Sequence, residues 1–309
     1  MLSRSYKADL ALVLVVVIWG ATFALVQKAI EEIPVHSFHV LRFGIATLAL
    51  LPIYLFRKHR NRSTIPAPRG LLLKAGFLAG LSLWLGYSFQ TFGLLHTTPA
   101  HSGFLTGMAV VIVPLLAFLL LKEKLEKRVI IGISMAASGL ALLAFGGQGT
   151  IDQLPPEPDI AKGDLLTFGC ATAFAFQIIV KAHWASKLSA LQLTIVELTT
   201  VFFLSLLAAT MLEEFPDLET LSSTVWSAVL LTGLLATAFA FLVQSWAQRT
   251  TTAVHTAVIF AFEPVTAAFF SWWLIGEVLT PWAAIGGILI IGGMLRTELR
   301  GSNKKTAEN

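Results

Sequence analysis

Long apolar stretches recur along the whole chain and are separated by short polar segments. A membrane-spanning helix needs about 20 mostly apolar residues, and ten stretches approach or reach that length. They cover residues 9–27, 38–56, 71–92, 102–121, 129–145, 165–180, 193–212, 225–246, 254–275 and 282–295. A polar interruption at residues 146–162 separates five stretches from the other five. The pattern predicts an all-α polytopic membrane protein with ten transmembrane helices, of which the fifth and tenth are the shortest.

The composition supports a membrane protein and excludes several other classes. Hydrophobic residues make up 56% of the chain and charged residues 13%, whereas a soluble domain carries about 25% charged residues. The net charge of +4 does not indicate nucleic-acid binding, because the basic residues lie in short loops between apolar stretches. Cys170 is the single cysteine, which excludes an intramolecular disulfide and a zinc site made of several thiolates. The first apolar stretch is longer than a signal-peptide core, so we expect a retained helix.

The distribution of basic residues predicts the orientation in the inner membrane, because lysine and arginine collect in cytoplasmic loops. With a cytoplasmic N-terminus, 19 of the 22 basic residues fall in inside segments. These are Arg4, Lys7, Arg57, Lys58, Arg60, Arg62, Arg69, Lys74, Lys122, Lys124, Lys127, Arg128, Lys181, Lys187, Arg249, Arg296, Arg300, Lys304 and Lys305. The exceptions are Lys28, Lys162 and Arg42, and the outer loops are acidic. Both termini are therefore predicted to be cytoplasmic.

The two halves of the chain resemble each other at polar and glycine positions. At a shift of about 155 residues, Arg42 falls on Glu197 and Asp9 on Asp164. At a shift of about 154, the pairs are Gln90 with Gln244, Thr97 with Thr251, Thr98 with Thr252, His101 with His255, Glu123 with Glu277, Gly132 with Gly286, and Gly139 with Gly293. Because five spans per half is an odd number, the second copy enters the membrane in the opposite orientation. Such inverted repeats are typical of secondary transporters, whose binding site lies between the halves.

This repeat predicts the domain organisation. We expect a first five-helix repeat over residues 1–146, an extracytoplasmic linker over 147–163, a second five-helix repeat over 164–297, and a cytoplasmic tail over 298–309.

Two motifs in the first half resemble the start of a known family. Residues 19–23 read Trp-Gly-Ala-Thr-Phe, and residues 41–43 read Leu-Arg-Phe. Together they resemble the EamA family of the drug/metabolite transporter superfamily. In that family each half ends in a stretch with a proline and a terminal Gly-Glu. The second half has this pattern, from Glu263-Pro264 to Gly276-Glu277.

The first half departs from that ending. Val110 stands where the repeat expects proline, Pro114 follows four residues later, and the terminal dipeptide is Lys122-Glu123. Residues 103–107, Gly-Phe-Leu-Thr-Gly, still resemble one branch of the family. The resemblance implies ten helices around a central cavity, and export or exchange of amino acids or related small metabolites without ATP.

Charged residues inside spans are the first candidates for chemistry, because burying an ionised group in hydrocarbon costs at least about 2.5 kcal/mol. Arg42 lies on the outer side of the second span, where its guanidinium could pair with a substrate carboxylate or gate the cavity. Glu263 lies mid-span before Pro264, which frees a backbone carbonyl, and is the leading candidate for proton coupling or for binding a substrate amine. Glu197 is a second candidate for proton coupling; the alternative is an interfacial acid in contact with cytoplasmic water.

Polar and aromatic residues complete the predicted site. Amides both donate and accept hydrogen bonds, so they can bind either a carboxylate or an ammonium group. The predicted substrate-binding or gating residues are Trp19, Thr22, Phe23, Arg42, Tyr87, Gln90, Gln177, Gln244 and Glu263. Trp84, Phe174, Trp246 and Phe260 are further aromatic candidates. His101 and His255 are interpreted as helix-boundary residues, with a pH-sensing role as the alternative.

The function predicted is that of a secondary transporter, an exporter of amino acids or related metabolites working by alternating access, with protons as a candidate coupling ion. The partners expected are a small-molecule substrate and the lipid bilayer; no cofactor, metal or nucleic acid is expected, and the oligomeric state stays open. The chain has no phosphate-binding loop, metalloprotease motif or nucleophile elbow, which disfavours an ATP-driven pump or a membrane-embedded enzyme. A carrier or flippase for sugar-linked or lipid-linked substrates, or a drug efflux permease, is the alternative.

Overall fold

The protein is helical throughout the residues that its computed structural model describes, which are 4–60, 68–97, 99–122, 125–146, 159–275 and 280–298. The helices are α1 Arg4–Ala29, α2 Val35–Arg60, α3 Arg69–Leu94, α4 Pro99–Gly107, α5 Ala109–Leu116, α6 Lys127–Gly146, α7 Ile160–Trp184, α8 Ala190–Leu212, α9 Ser223–Leu231, α10 Ala240–Ala247, α11 Ala253–Phe260, α12 Glu263–Ile275 and α13 Pro281–Glu298. Two π-helical segments, Ala117–Leu121 and Thr232–Phe239, continue α5 and join α9 to α10. The all-α prediction is confirmed for the described part of the chain.

Eight helical stretches in the described residues are long and apolar enough to cross a membrane. They are Tyr6–Ala29, Val35–His59, Arg69–Leu94, Ser102–Leu121, Ala161–Trp184, Ala190–Leu212, Ser223–Ala247 and Ala253–Phe270. They coincide with eight of the ten predicted spans. The predicted fifth and tenth spans correspond to α6 and α13, which pack against each other along their length.

The outside of the bundle is apolar. Large hydrophobic side chains that would be buried in a soluble protein are exposed, among them Leu48, Phe56, Leu119, Met211 and Leu212. An apolar surface of this extent requires lipid or protein to cover it. The side-chain distribution therefore agrees with the spans in defining a polytopic membrane protein.

The principal helix contacts join one half of the chain to the other. The most extensive pairs are α6 with α13, α3 with α7, α3 with α8, and α2 with α8. Glycines allow the α6–α13 crossing: a Cβ added to Gly139 would lie 2.5 Å from the Gly286 carbonyl oxygen, and one added to Gly293 would lie 2.5 Å from the Gly132 oxygen. Small residues at such crossings let the backbones approach closely. The halves are therefore interlocked rather than side by side.

Backbone hydrogen bonds at the helix connections recur between the halves at the same residue shifts as the sequence repeat. Phe38 N donates to Pro34 O at 2.9 Å, and Leu193 N, 155 residues later, donates to Ser189 O at 2.9 Å. Further pairs at this shift are Ile30–Val26 with Ala185–Lys181, Glu32–Ala29 with Lys187–Trp184, and Ile33–Ala29 with Leu188–Trp184. Pairs at a shift of 154 are Leu95–Phe92 with Arg249–Trp246, His96–Gly93 with Thr250–Ala247, and Thr97–Gly93 with Thr251–Ala247. The connections of the two halves thus have the same local structure.

Two transmembrane helices are interrupted at equivalent points. α4 gives way to α5 at Met108, and α11 gives way to α12 at residues 261–262. At both breaks the backbone tightens to three-residue hydrogen bonds: Met108 N donates to Leu105 O at 3.1 Å, and Phe262 N donates to Ile259 O at 3.0 Å. These breaks lie at the centre of the bundle, where they shape the cavity described next.

Several predicted features lie outside the described residues. They are residues 147–158 of the predicted linker, residues 299–309 of the predicted tail, Glu123 and Lys124, and the Gly276-Glu277 dipeptide.

Candidate functional site

A cavity lies between the two halves, and side chains of both halves line it. The structure places all nine predicted binding or gating residues on its wall: Trp19, Thr22, Phe23, Arg42, Tyr87, Gln90, Gln177, Gln244 and Glu263. Their spatial convergence is a structural fact, while their roles in binding or gating stay predictions.

The helices of the first half line the cavity between the middle and one end of the bundle. On α1 its lining residues run from Trp19 to Val26, and on α3 from Leu83 to Leu94, so both helices line it with their C-terminal halves. On α2, which runs in the opposite direction, Arg42 lies in the N-terminal half. In the predicted orientation this end of the bundle is the extracytoplasmic one.

Arg42 is held in the wall by neutral partners. Its Nε donates to Thr237 Oγ1 at 2.8 Å, and Nη2 donates to the Tyr87 hydroxyl at 3.1 Å. The guanidinium carbon also lies 4.4 Å from the centre of the Tyr87 ring. Arg42 has no salt-bridge partner among the residues that the structure describes. Its charge is therefore available to an anionic group in the cavity.

The π-helical segment Thr232–Phe239 presents Thr237 to Arg42. Gly233 lies at the contact with α2, since a Cβ added there would be 3.0 Å from the Arg42 carbonyl oxygen. Departures from α-helical geometry of this kind are frequent at functional sites. Here the departure brings the hydroxyl of Thr237 to the arginine.

Glu263 is the acid of the cavity. It occupies the first turn of α12, directly after the break at residues 261–262 and before Pro264, and it is half-buried. In the described part of the chain no hydrogen bond or ion pair engages its carboxylate, although its backbone oxygen accepts from Thr266 Oγ1 at 2.8 Å. Pro264 packs near Gly103 and Gly107 of α4. The two helix breaks therefore meet beside Glu263.

The prediction that Lys181 lies in a cytoplasmic segment between spans is wrong. The helix α7 continues to Trp184, and Lys181 is fully buried inside it. Its Nζ lies 2.8 Å from Glu197 Oε2, and both side chains are 0% exposed. Arg42 is therefore not the only basic residue within the membrane spans.

The position of Glu197 excludes one of the two roles predicted for it. It is wholly buried and paired with Lys181, so the alternative of an interfacial acid facing cytoplasmic water is wrong. Glu197 does not line the cavity; Gln177, which does, donates from Nε2 to Glu197 Oε1 at 2.6 Å. Proton coupling at Glu197 stays a prediction, and it would have to act through this contact.

Gln177 and Gln244 form a reciprocal amide pair. Gln177 Nε2 donates to Gln244 Oε1 at 3.2 Å, and Gln244 Nε2 donates to Gln177 Oε1 at 3.0 Å. Gln90, the repeat partner of Gln244, also lines the cavity and donates from Nε2 to Thr106 Oγ1 at 3.2 Å.

Aromatic rings form much of the remaining wall. The ring centroid of Trp19 is 4.9 Å from that of Phe260 and 5.6 Å from that of Phe241. The indole Nε1 of Trp19 donates to Ala236 O at 2.8 Å. Tyr87 lies 5.3 Å from Phe174. Such a wall suits an apolar substrate group.

Two of the four further aromatic candidates line the cavity, and the other two do not. Phe174 and Phe260 line the cavity, whereas Trp84 and Trp246 do not. Trp84 stacks on His36, and Trp246 packs against the first turns of α1. Phe241 lines the cavity and was missed, because apolar residues in a span carry no signal that separates the cavity side from the lipid side.

His255 lies beside the first turns of α1. Its Nε2 is 3.0 Å from Asp9 Oδ1 of α1, and its backbone N donates to Thr252 Oγ1, which caps α11. This agrees with the predicted helix-boundary position. The side chain of His101 lies outside the described residues.

The fold and the site together indicate a class: a bundle of membrane-length helices around a polar and aromatic cavity is the architecture expected of a multi-pass membrane transporter. The sequence profile of the EamA-like transporter family matches residues 6–145 and again residues 161–297. The chain belongs to the EamA-like transporter family.

Relatives of known sequence agree with this assignment. An "Uncharacterized transporter" of Archaeoglobus fulgidus is 32% identical over 293 residues, which cover 95% of this chain and 86% of the relative. The transporter YoaV of Bacillus subtilis is 25% identical, with 97% of this chain and 99% of the relative covered. A "Probable terminal-alkyne amino-acid exporter" of Streptantibioticus cattleyicolor is 28% identical, with 94% and 92% covered.

The fold also matches a solved crystal structure. The TM-score is 0.74 at 19% sequence identity, and the match covers 99% of this chain and 100% of the other. At this identity the match extends to the fold alone.

Proposed function

We propose that this protein is a secondary transporter that exports amino acids or closely related small zwitterions across the inner membrane. One observation carries the proposal: Arg42 and Glu263 line the same cavity, and neither has an ion-pair partner among the described residues. An α-amino acid brings the two complementary charges, a carboxylate for the guanidinium and an ammonium group for the carboxylate. The aromatic wall accommodates its side chain.

The architecture proposed is two inverted five-helix repeats, residues 1–146 and 164–297, with ten spans and both termini in the cytoplasm. The double match of the family profile supports this division, as do the backbone hydrogen bonds that recur at shifts of 155 and 154 residues. The α6–α13 crossing supports it too. Because Gly132 is equivalent to Gly286 and Gly139 to Gly293, exchanging the halves maps the Gly132–Gly293 contact onto the Gly286–Gly139 contact.

Transport by alternating access follows from that architecture. The cavity lies between the halves, so rocking of the halves against each other would expose it to each side of the membrane in turn. Export is the proposed direction, which the name of the Streptantibioticus relative supports. Glu263 is the proposed proton-coupling group, because it lines the cavity and none of the described residues forms an ion pair with it.

A growth screen tests the proposed function. The chain is expressed in a bacterial strain lacking its own amino-acid exporters, which is challenged with amino acids, their toxic analogues, cationic drugs and sugar-linked compounds. We expect resistance to amino acids or their analogues, and loss of that resistance in Arg42→Lys and Glu263→Gln at equal membrane expression. Resistance restricted to cationic drugs or sugar-linked compounds would refute the amino-acid assignment.

A further inference from the structure

The buried pair Lys181–Glu197 contacts the cavity through two amides. Lys181 Nζ lies near three oxygens: Glu197 Oε2 at 2.8 Å, Gln244 Oε1 at 3.3 Å and Phe241 O at 3.4 Å. An ammonium group has three N–H donors and no acceptor, so all of its hydrogens are used. Glu197 in turn accepts from Gln177 Nε2 at 2.6 Å. Neither charged side chain reaches the cavity itself, whereas both glutamines line it.

A reciprocal amide pair has two possible orientations. If both amides rotate by 180°, the two N–H···O bonds between Gln177 and Gln244 form again with their ends exchanged. An amide's oxygen and nitrogen ends are nearly equal in shape, so the pair alone does not choose between the orientations.

The ion pair makes that choice. Lys181 only donates, so it selects the oxygen of Gln244; ionised Glu197 only accepts, so it selects the nitrogen of Gln177. The reversed orientation would place the Gln177 carbonyl against the Glu197 carboxylate and the Gln244 amino group against the Lys181 ammonium. Each contact would replace a hydrogen bond to a charged group by a repulsion.

The hydrogen bonds within the Gln177–Gln244 pair determine which amide groups can still bind a ligand. Both hydrogens of Gln177 Nε2 are used, by Glu197 and Gln244, and Gln244 Oε1 accepts from Gln177 and Lys181. Gln244 Nε2 uses one hydrogen, on Gln177 Oε1. Among the described residues, one N–H of Gln244 and one lone pair of Gln177 Oε1 therefore have no partner, which leaves a donor and an acceptor side by side.

We propose that Lys181 and Glu197 are positioning residues that fix the Gln177–Gln244 amides so that Gln244 offers a donor to the substrate carboxylate. This inference rests on the proposed amino-acid substrate. The pair also makes the site asymmetric: in the first half the positions equivalent to Lys181 and Glu197 are Val26 and Arg42. Arg42 thereby lacks the neutralising partner that Glu197 has.

The test exchanges the two charges. In Lys181→Glu/Glu197→Lys an ion pair persists, but its polarity favours the reversed amides. In Lys181→Met/Glu197→Leu neither orientation is favoured. Purified full-length proteins are titrated calorimetrically with the standard L-amino acids, and the tightest ligand is then compared with its α-amide, which lacks the carboxylate. Thermal unfolding reports folding of each variant.

The orientation mechanism predicts a particular ranking of affinities. The apolar variant populates the competent orientation half of the time, so its affinity falls only about twofold. The exchanged variant falls by more than about tenfold, because the competent orientation loses two charge-assisted hydrogen bonds, and the α-amide is much less affected. A purely structural ion pair gives the opposite order, with the exchanged variant closer to the wild type, and that order overturns the inference.

A second variant decides the matter if the exchanged protein does not fold. Gln244→Met removes the open donor and leaves the ion pair in place. We expect weaker binding of the amino acid by about tenfold and little change for its α-amide; an equal loss for both ligands overturns the inference.

If the wild type binds no amino acid, the proposed function fails first and this inference with it. If the wild type binds and the variants bind equally, only this inference fails.

Discussion

At the scale of single residues, the cavity presents two charges under different constraints. The two hydrogen bonds of Arg42 go to hydroxyl oxygens, which leaves three of the five N–H groups of its guanidinium for a ligand. Glu263 can exchange a proton, and no partner in the described chain holds its charge. The arginine is therefore suited to constant recognition and the glutamate to a role that changes during transport.

Replacing Arg42 by lysine tests whether the planar guanidinium is required. Lysine keeps the charge but loses the fork that binds a carboxylate with two hydrogen bonds. We expect amino-acid affinity to fall by more than about tenfold, measured by ligand titration of the purified protein. Arg57→Lys, on the exposed part of the same helix, is the matched control and should leave affinity unchanged. An unaltered affinity in Arg42→Lys would remove Arg42 from the recognition site.

Replacing Glu263 by glutamine tests proton coupling. The amide keeps the size of the side chain but cannot bind and release a proton. Transport by the wild type should respond to an imposed pH gradient in proteoliposomes, and transport by Glu263→Gln should not. Glu219→Gln, at an exposed loop position, should behave as the wild type does. Identical gradient dependence in Glu263→Gln and the wild type would exclude this role.

At the level of the helices, close packing and helix interruptions have different effects on the bundle. Glycines at the α6–α13 crossing bring the backbones together, whereas the breaks between α4 and α5 and between α11 and α12 open the centre of the bundle. The sequence predicted one break in part, through Pro264. It did not predict the break at Met108, because neither a proline nor a polar residue marks it.

A glycine substitution tests the crossing. A Cβ at Gly139 would lie 2.5 Å from the backbone oxygen of Gly286, whereas one at Gly70 meets nothing within 4 Å. Backbone atoms cannot yield as a flexible side chain can, so Gly139→Ala should lower the free energy of unfolding by about 1–3 kcal/mol. Gly70→Ala should be neutral or stabilising by up to about 1 kcal/mol. Thermal unfolding in detergent makes the comparison, and equal stability of the two variants would argue against a tight crossing.

At the scale of the whole molecule, the repeat was the most informative feature of the sequence. Polar residues at equivalent positions, such as Gln90 and Gln244, define the residue shift between the halves. The backbone hydrogen bonds at the helix connections recur at the same shift. The same reasoning failed at Lys181. Counting basic residues as loop residues assumes that no cation is buried, and the sequence does not show that Glu197 lies within reach of Lys181. The extension of α7 by one turn and the contact of Lys181 on α7 with Glu197 on α8 both depend on how the helices pack. The sequence of each helix alone therefore does not show them.

The predicted orientation makes its own test possible. Cys170 is fully buried, so replacing it by alanine gives a background for single cysteines. In intact cells a membrane-impermeant maleimide should label Asp217→Cys, on the predicted outer side, and should label Lys58→Cys only after permeabilisation. Both native residues are exposed. The reverse labelling pattern would contradict the predicted topology and the proposed direction of transport.

The most direct test of the central claim is exchange of an amino acid across a membrane by the purified protein. Proteoliposomes loaded with an unlabelled amino acid are placed in a trace of the labelled one, and accumulation of label is followed. We expect saturable counterflow for at least one amino acid, which is abolished in Arg42→Lys and unaffected in Arg57→Lys. Absence of counterflow for every amino acid, from protein that is folded and inserted, would contradict it.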